Sequence, residues 1–138
     1  MNFLSVSSVM ATVGSVLLAI LILLVMITVH EFGHYLAGKA LKFKINEFAI
    51  GFGPKLFKRK SKKSGELFSI RLLPLGGFCA FEGEDGEEEE VSENAFTKKA
   101  PWKRLIVLVS GTLMNYFLAL ALIIISMFAF GQPTLNAG

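Results

Sequence analysis

The 138-residue chain has one cysteine, one aspartate and two histidines, and residues 1–29 and 105–138 contain no Asp, Glu, His, Lys or Arg at all. A single cysteine excludes a disulfide scaffold. The uncharged ends exclude a disordered polar chain and a soluble domain with an even charged surface. What is present instead is 53% hydrophobic residues against 18% charged ones, and a mean hydropathy of +0.58. All fourteen Lys and Arg fall between Lys39 and Arg104, and every acid except Glu31 falls between Glu47 and Glu93. The charges therefore form one central block between two apolar ones, in a chain long enough for one domain.

Val9 to Val29 is broken only by Thr12, Gly14, Ser15 and Thr28, and at about 1.5 Å per residue it crosses the roughly 30 Å hydrocarbon core as a helix. It lacks the basic start and short apolar stretch of a signal peptide. Leu105 to Phe130 is long enough to cross with tilt, and Pro101 suits the first turn of that helix. The expected fold is a mainly α membrane protein: transmembrane helices at about 9–40 and 101–130, joined by a loop with a small membrane-associated β-structure. Lys39, Lys42 and Lys44 flank the first span on its loop side, and Lys98, Lys99, Lys103 and Arg104 flank the second. The positive-inside rule then puts the loop in the cytoplasm and both termini outside, in a multi-pass protein of the cell membrane. This topology and the anionic headgroups of the lipid bilayer account for the net charge of +3, which is no signal for nucleic acid. Lone Cys79 reads as a reduced, packed thiol.

Within the loop the hydrophobic period changes from helical to alternating. Ile45–Ile50, Leu67–Leu73 and Phe78–Phe81 read as two to four short strands in a β-rich loop over 43–82, with Pro74-Leu75-Gly76-Gly77 as a turn. Their apolar content implies packing on the helices or entry into the membrane as covered backbone; a small cytosolic sheet with one buried face is the alternative. Gly51-Phe52-Gly53 lacks the third glycine and following helix of a dinucleotide site. The acidic run over 82–94 reads as a solvated loop without the ligand spacing of a calcium site.

Chemistry concentrates at the loop-side end of the first span. His30-Glu31-Phe32-Gly33-His34 is HExxH, which on a helix sets two imidazoles one turn apart as zinc ligands, with Glu31 beside the metal as a base. Both histidines of the chain lie here. Ionisable groups attached to an uncharged span are costly unless they face a protein interior. Phe32, Tyr35, Leu36, Ala37 and Leu41 continue the apolar pattern, so Lys39 lies about 13 Å further along the axis and the histidines sit below the surface. The bland reading of the triplet is a polar helix end at the interface. On the second helix, Gly111 and Asn115 are four apart, which fits close helix packing with an interhelical hydrogen bond, and also fits an asparagine facing the metal helix.

HEFGH at 30–34, FAIGFGP at 48–54, LPLGGF at 73–78, AFTKKAPWKR at 95–104 and SGTLMN at 110–115 resemble, in kind and order, the N-terminal part of the site-2 proteases, intramembrane zinc metalloproteases, and most closely the bacterial branch typified by the regulator of sigma-E protease. The resemblance runs from about Ile20 to Ile125. It implies Zn2+ as cofactor with His30 and His34 as ligands and Glu31 as catalytic base. It also implies that Gly51, Gly53, Pro74, Gly76 and Gly77 belong to a β-structure that receives unwound substrate, and that Asn115 lies near the active site. The implied activity is regulated intramembrane proteolysis, cutting the transmembrane helix of a membrane-anchored substrate such as an anti-sigma factor.

In that family the third ligand is an aspartate in a Leu-Asp-Gly motif on a later span, whereas the only aspartate here is Asp85, in the acidic run. The family's PDZ region after the second span is also not seen. The expectation is a single incomplete protease domain over 1–138, with the missing C-terminal part of the same enzyme as its partner and no cleavage by the piece alone. A non-catalytic membrane adaptor and a metal-transport fragment are the alternatives. The orientation has a direct check: with the loop in the cytoplasm, Asn136→Cys reacts with an impermeant thiol reagent in intact cells and Lys62→Cys does not, while the opposite labelling pattern reverses the topology.

Overall fold

A computed structural model describes residues 5–84 and 92–131. Ser5 caps the first helix, α1 (Val6–Ala40), by accepting the Ser8 N–H. Inside this apolar helix, Thr12 and Ser15 donate their hydroxyls to the carbonyls of Ser8 and Ala11, both at 2.9 Å. Both hydroxyls are thus satisfied within their own helix. At the other end Phe43 N–H reaches the Gly38 carbonyl at 2.8 Å and Lys42 N–H the Lys39 carbonyl at 3.2 Å. This is a Schellman ending, with Lys42 at φ 63 in the left-handed position that glycine usually fills. The second helix, α2 (Pro101–Phe130), starts with Pro101 in its first turn and stops at Gly131, φ 74. Both helices are long and apolar enough to cross a membrane, and among the described residues nothing covers their apolar stretches.

Between them lie β1 (Ile45–Lys60) and β2 (Leu67–Phe81), which pair antiparallel in a two-stranded sheet. Three apolar segments read as short strands are thus parts of two long, bent strands. Residues 45–50 face 77–81, and residues 55–60 face 67–71. Residues 47–50 are also paired with 67–70 on their other side, so the inner segment of β1 has neighbours along both edges. The bend in β1 falls at Gly51 and Gly53, whose φ values of +85 and +86 lie where a side chain is strained. Arg71 holds the bend, donating from Nη1 to the Gly53 carbonyl and from Nη2 to Glu47, both at 2.8 Å. Burial alone raises the Glu47 carboxyl, but hydrogen bonds from Ser69 and Arg71 and the charges of Arg71 and Lys55 outweigh it and hold the group below its ordinary value.

The expected turn over Pro74–Gly77 is not a turn: all four residues run within β2. The glycine signal there has a different origin. A Cβ on Gly76 falls 2.0 Å from the Phe52 ring, and one on Gly77 falls 2.8 Å from the Ala49 carbonyl. These glycines let β1 and a ring pass close by; neither reverses the chain. The actual reversal is at 61–66, where Gly65 takes φ +74 and its N–H bonds to the Ser61 carbonyl at 2.9 Å.

The acidic segment expected over 82–94, Asp85 included, lies outside the described residues from 85 to 91. Its first member is no solvated acid. Glu82 is buried and accepts the Ser92 N–H at 2.8 Å and the Ser92 hydroxyl at 2.9 Å, with Lys44 Nζ at 3.5 Å. These contacts, the Ser92 N–H foremost, hold its carboxyl below the ordinary range.

The core gathers where helices and sheet meet: Phe43, Ile45, Phe48, Cys79, Phe81 and Val107. Phe81 stacks edgewise on Phe43 and lies against Gly38, where a Cβ meets its ring at 2.5 Å. Burial first, and the charges of Glu31, Glu84 and Glu66 second, push the Cys79 thiol up to about 12, so at neutral pH it is protonated and inert.

If Gly76 is an approach glycine, Gly76→Ala forces the Phe52 ring aside at an overpacking cost of about 1–3 kcal/mol. Thermal unfolding in detergent then shows a loss of stability that Phe52→Ala recovers in the double variant. Equal loss in the presence and absence of the ring returns the glycine to a backbone role.

Candidate metal centre

His30 and His34 sit one helical turn apart on α1, so their rings lie on one face. The rings meet edge to face with centroids 4.7 Å apart, and the two Nε2 atoms are 3.1 Å apart. His34 Nδ1 is 2.6 Å from the Val107 carbonyl of α2. A carbonyl only accepts, so the proton is on Nδ1 and the Nε2 lone pair is free for a metal. Val107 is 1% exposed, and its carbonyl also takes the Ser110 hydroxyl, so this anchor is fixed from both sides.

The close approach of α2 needs two glycines. A Cβ on Gly33 falls 2.5 Å from the Ser110 carbonyl and 3.0 Å from the Gly111 Cα; one on Gly111 falls 2.6 Å from His34 Nε2 and 2.8 Å from His30 Cε1. The helices cross at this glycine pair, and the crossing point is the floor of the histidine site. Glu31 completes the cluster: one ligand atom from each of His30, Glu31 and His34 lies within 4.8 Å of the others. The backbone N–H of Cys79 in β2 faces its carboxylate.

Glu31 borders two cavities. One, of about 270 Å³, is lined by Leu23, Met26, Ile27, His30, Glu31 and Asn115 and opens along the apolar part of α1. The other, of about 380 Å³, runs under β2 past His34, Cys79 and Glu84. In the first, Asn115 Oδ1 is buried with no hydrogen-bond partner, an unusual state that a ligand group relieves.

The structure thus brings His30, Glu31, His34 and Asn115 together. Of the five sheet positions singled out by the sequence, only Gly77 approaches this site, lying 3.7 Å by its Cβ direction from Ile27. Gly51 and Gly53 have Leu73 as nearest neighbour and Gly76 has Phe52, and Pro74 lies in β2 beside Leu73. The sequence reading passed over the Val107 carbonyl and the Cys79 N–H, and took Gly111 only as a packing residue.

The donor set fits zinc. Two imidazole nitrogens at about 2.0–2.1 Å from a tetrahedral ion stand about 3.3 Å apart, close to the 3.1 Å here. The model of peptidase family M50 matches residues 18–137. The chain belongs to peptidase family M50. A relative from Thermotoga maritima, named as a zinc metalloprotease, is 43% identical over 99 residues, covering 70% of this chain and 19% of its own length. One from Fusobacterium nucleatum with the same kind of name is 40% identical over 111 residues, covering 80% of this chain and 31% of the relative. The zinc metalloprotease Rip1 of Mycolicibacterium smegmatis is 35% identical over 129 residues, covering 90% and 32%. The M50 chain therefore spans between about a fifth and a third of the length of these relatives, and zinc is the metal that their names carry.

Gly111→Ala places a methyl group against His34 Nε2, so zinc content of the full-length enzyme should fall to near zero while helical circular dichroism is kept. Full zinc occupancy in this variant means that α2 does not form the floor of the site.

Proposed function

We propose that the chain supplies two zinc ligands and the general base of an intramembrane endopeptidase that cuts a membrane-anchored substrate in or near its transmembrane helix. The observation that carries this reading is the grouping of His30, Glu31 and His34 at the crossing of two membrane-capable helices, beside a cavity that opens along the apolar surface of α1. When bound, zinc polarises the scissile carbonyl and lowers the cost of ionising water. Glu31, faced by the Cys79 N–H, takes the proton of the attacking water and passes it to the leaving amine. His34 keeps its tautomer through Val107 and holds its lone pair toward the site. Asn115 offers an unpaired amide to the substrate backbone in the apolar cavity, while water reaches Glu31 from the cavity under β2.

The sheet serves as a template: an extended substrate segment adds to one of its edges, which exposes a bond that helical hydrogen bonding hides. Gly51, Gly53, Pro74, Gly76 and Gly77 shape that template, and the exposed Phe52, Leu72, Leu73 and Leu75 place it against lipid. The loop is cytoplasmic and both termini are outside. The third ligand is an aspartate from a later span of the same enzyme, and an anti-sigma factor is the kind of substrate that the family resemblance implies.

In the full-length enzyme, Glu31→Gln retains zinc and lowers cleavage of a transmembrane substrate by about 10²–10⁴-fold or more, whereas His34→Ala loses both. Metal analysis beside a cleavage assay in detergent separates the two. Unimpaired cleavage by Glu31→Gln removes the glutamate from the chemistry.

A further inference from the structure

The hairpin tip carries an unusual set of charges. Lys39, Lys44, Lys55 and Arg71 each pair with a carboxylate. Lys58, Arg59, Lys60, Lys62 and Lys63 have no carboxylate partner among the described residues. Four of these five, Arg59, Lys60, Lys62 and Lys63, line one cavity of about 540 Å³ that has no acid in its wall. That basin adjoins an apolar cavity of about 440 Å³, and the two share Arg59 and Phe68. The apolar cavity is walled by Phe32, Tyr35, Phe48, Phe57 and Phe68, with Lys58 and Arg59 on its wall.

The position of the tip is set by Glu66, which is 3% exposed and is held by Lys39 and by the Tyr35 hydroxyl at 3.0 Å. Lys39 is the basic residue in the last turn of α1. The hairpin is thus pinned level with the end of the span, where headgroup phosphates lie. Phe57, 70% exposed, stands beside the opening.

We propose that this paired cavity is a binding site for one anionic phospholipid of the bilayer, with an acyl chain among the five rings and the phosphate among the unpaired cations. The inference rests on the membrane reading of the two helices. Charge complementarity selects the occupant: a zwitterionic lipid brings its own cation into a basin that already holds four. An aromatic-walled cavity of this size beside a polar group is an ordinary small-molecule site, and its location makes the lipid a clamp between sheet and bilayer.

Native mass spectrometry of the purified chain in detergent, titrated with dioleoyl phosphatidylglycerol or dioleoyl phosphatidylcholine, tests this. The expected result is a single phosphatidylglycerol adduct at concentrations about tenfold below those needed for phosphatidylcholine. The double variant Arg59→Gln/Lys60→Gln loses that preference, on the order of fivefold for each charge removed. Lys42→Gln/Lys103→Gln, which removes the same charge elsewhere, keeps it. Phe57→Ala weakens both lipids alike. Helical circular dichroism of every variant reports folding and is read independently of zinc and of cleavage, so failure here is distinct from failure of the protease reading. Equal binding of the two lipids, equal loss in the two double variants, or displacement of the lipid by millimolar inorganic phosphate overturns the site.

Discussion

The contact between Gly33 and Gly111 is the constraint on which the rest of the molecule depends. Any side chain at either position separates the helices by the width of a methyl group, and the Val107 carbonyl then no longer reaches His34. In an apolar solvent, helix association gains little from burying apolar surface and relies on close packing. The metal site therefore sits where helix backbone meets helix backbone. Its specificity for geometry comes from a main-chain acceptor, which cannot rotate away as a side chain can.

The second support is the sheet. By bending at Gly51 and Gly53, β1 places its inner segment between two parts of β2, and the C-terminal part of β2 then lies over α1. Phe81 on Gly38 and the Cys79 N–H on Glu31 are two consequences of one strand position. The chain thus sets its three chemical groups against different partners: His34 against α2, Glu31 against β2, and His30 through its spacing from His34 on α1.

Much of this was legible from residues alone. Two uncharged blocks flanking a charged one are two membrane-capable helices, and HExxH on the first determines which side chains share a face. The segments around 45–50, 67–73 and 78–81 do form strands, because their apolar and β-branched residues favour a pleated, half-buried surface. The bend and the course of β2 were not legible. Glycine marks both a left-handed φ, as at Gly51, and room for a neighbour, as at Gly76, and the letter is the same for both. Val107 and Cys79 act through backbone groups that every residue has, so no pattern of side chains points to them. Nothing in the sequence assigned the cations of the hairpin tip a role of their own; they stand out only where Lys39, Lys44, Lys55 and Arg71 are seen to pair with carboxylates and they, among the described residues, do not.

The bond from His34 to Val107 joins residues 73 positions apart. Until α2 has been made, α1 holds its histidines one turn apart, but His34 has no fixed tautomer and the pair has no floor. Both arrive only when α2 has been made and has found its partner. A nascent chain that has made only α1 therefore carries the two histidines without the site, and the centre matures only once α2 has packed against it.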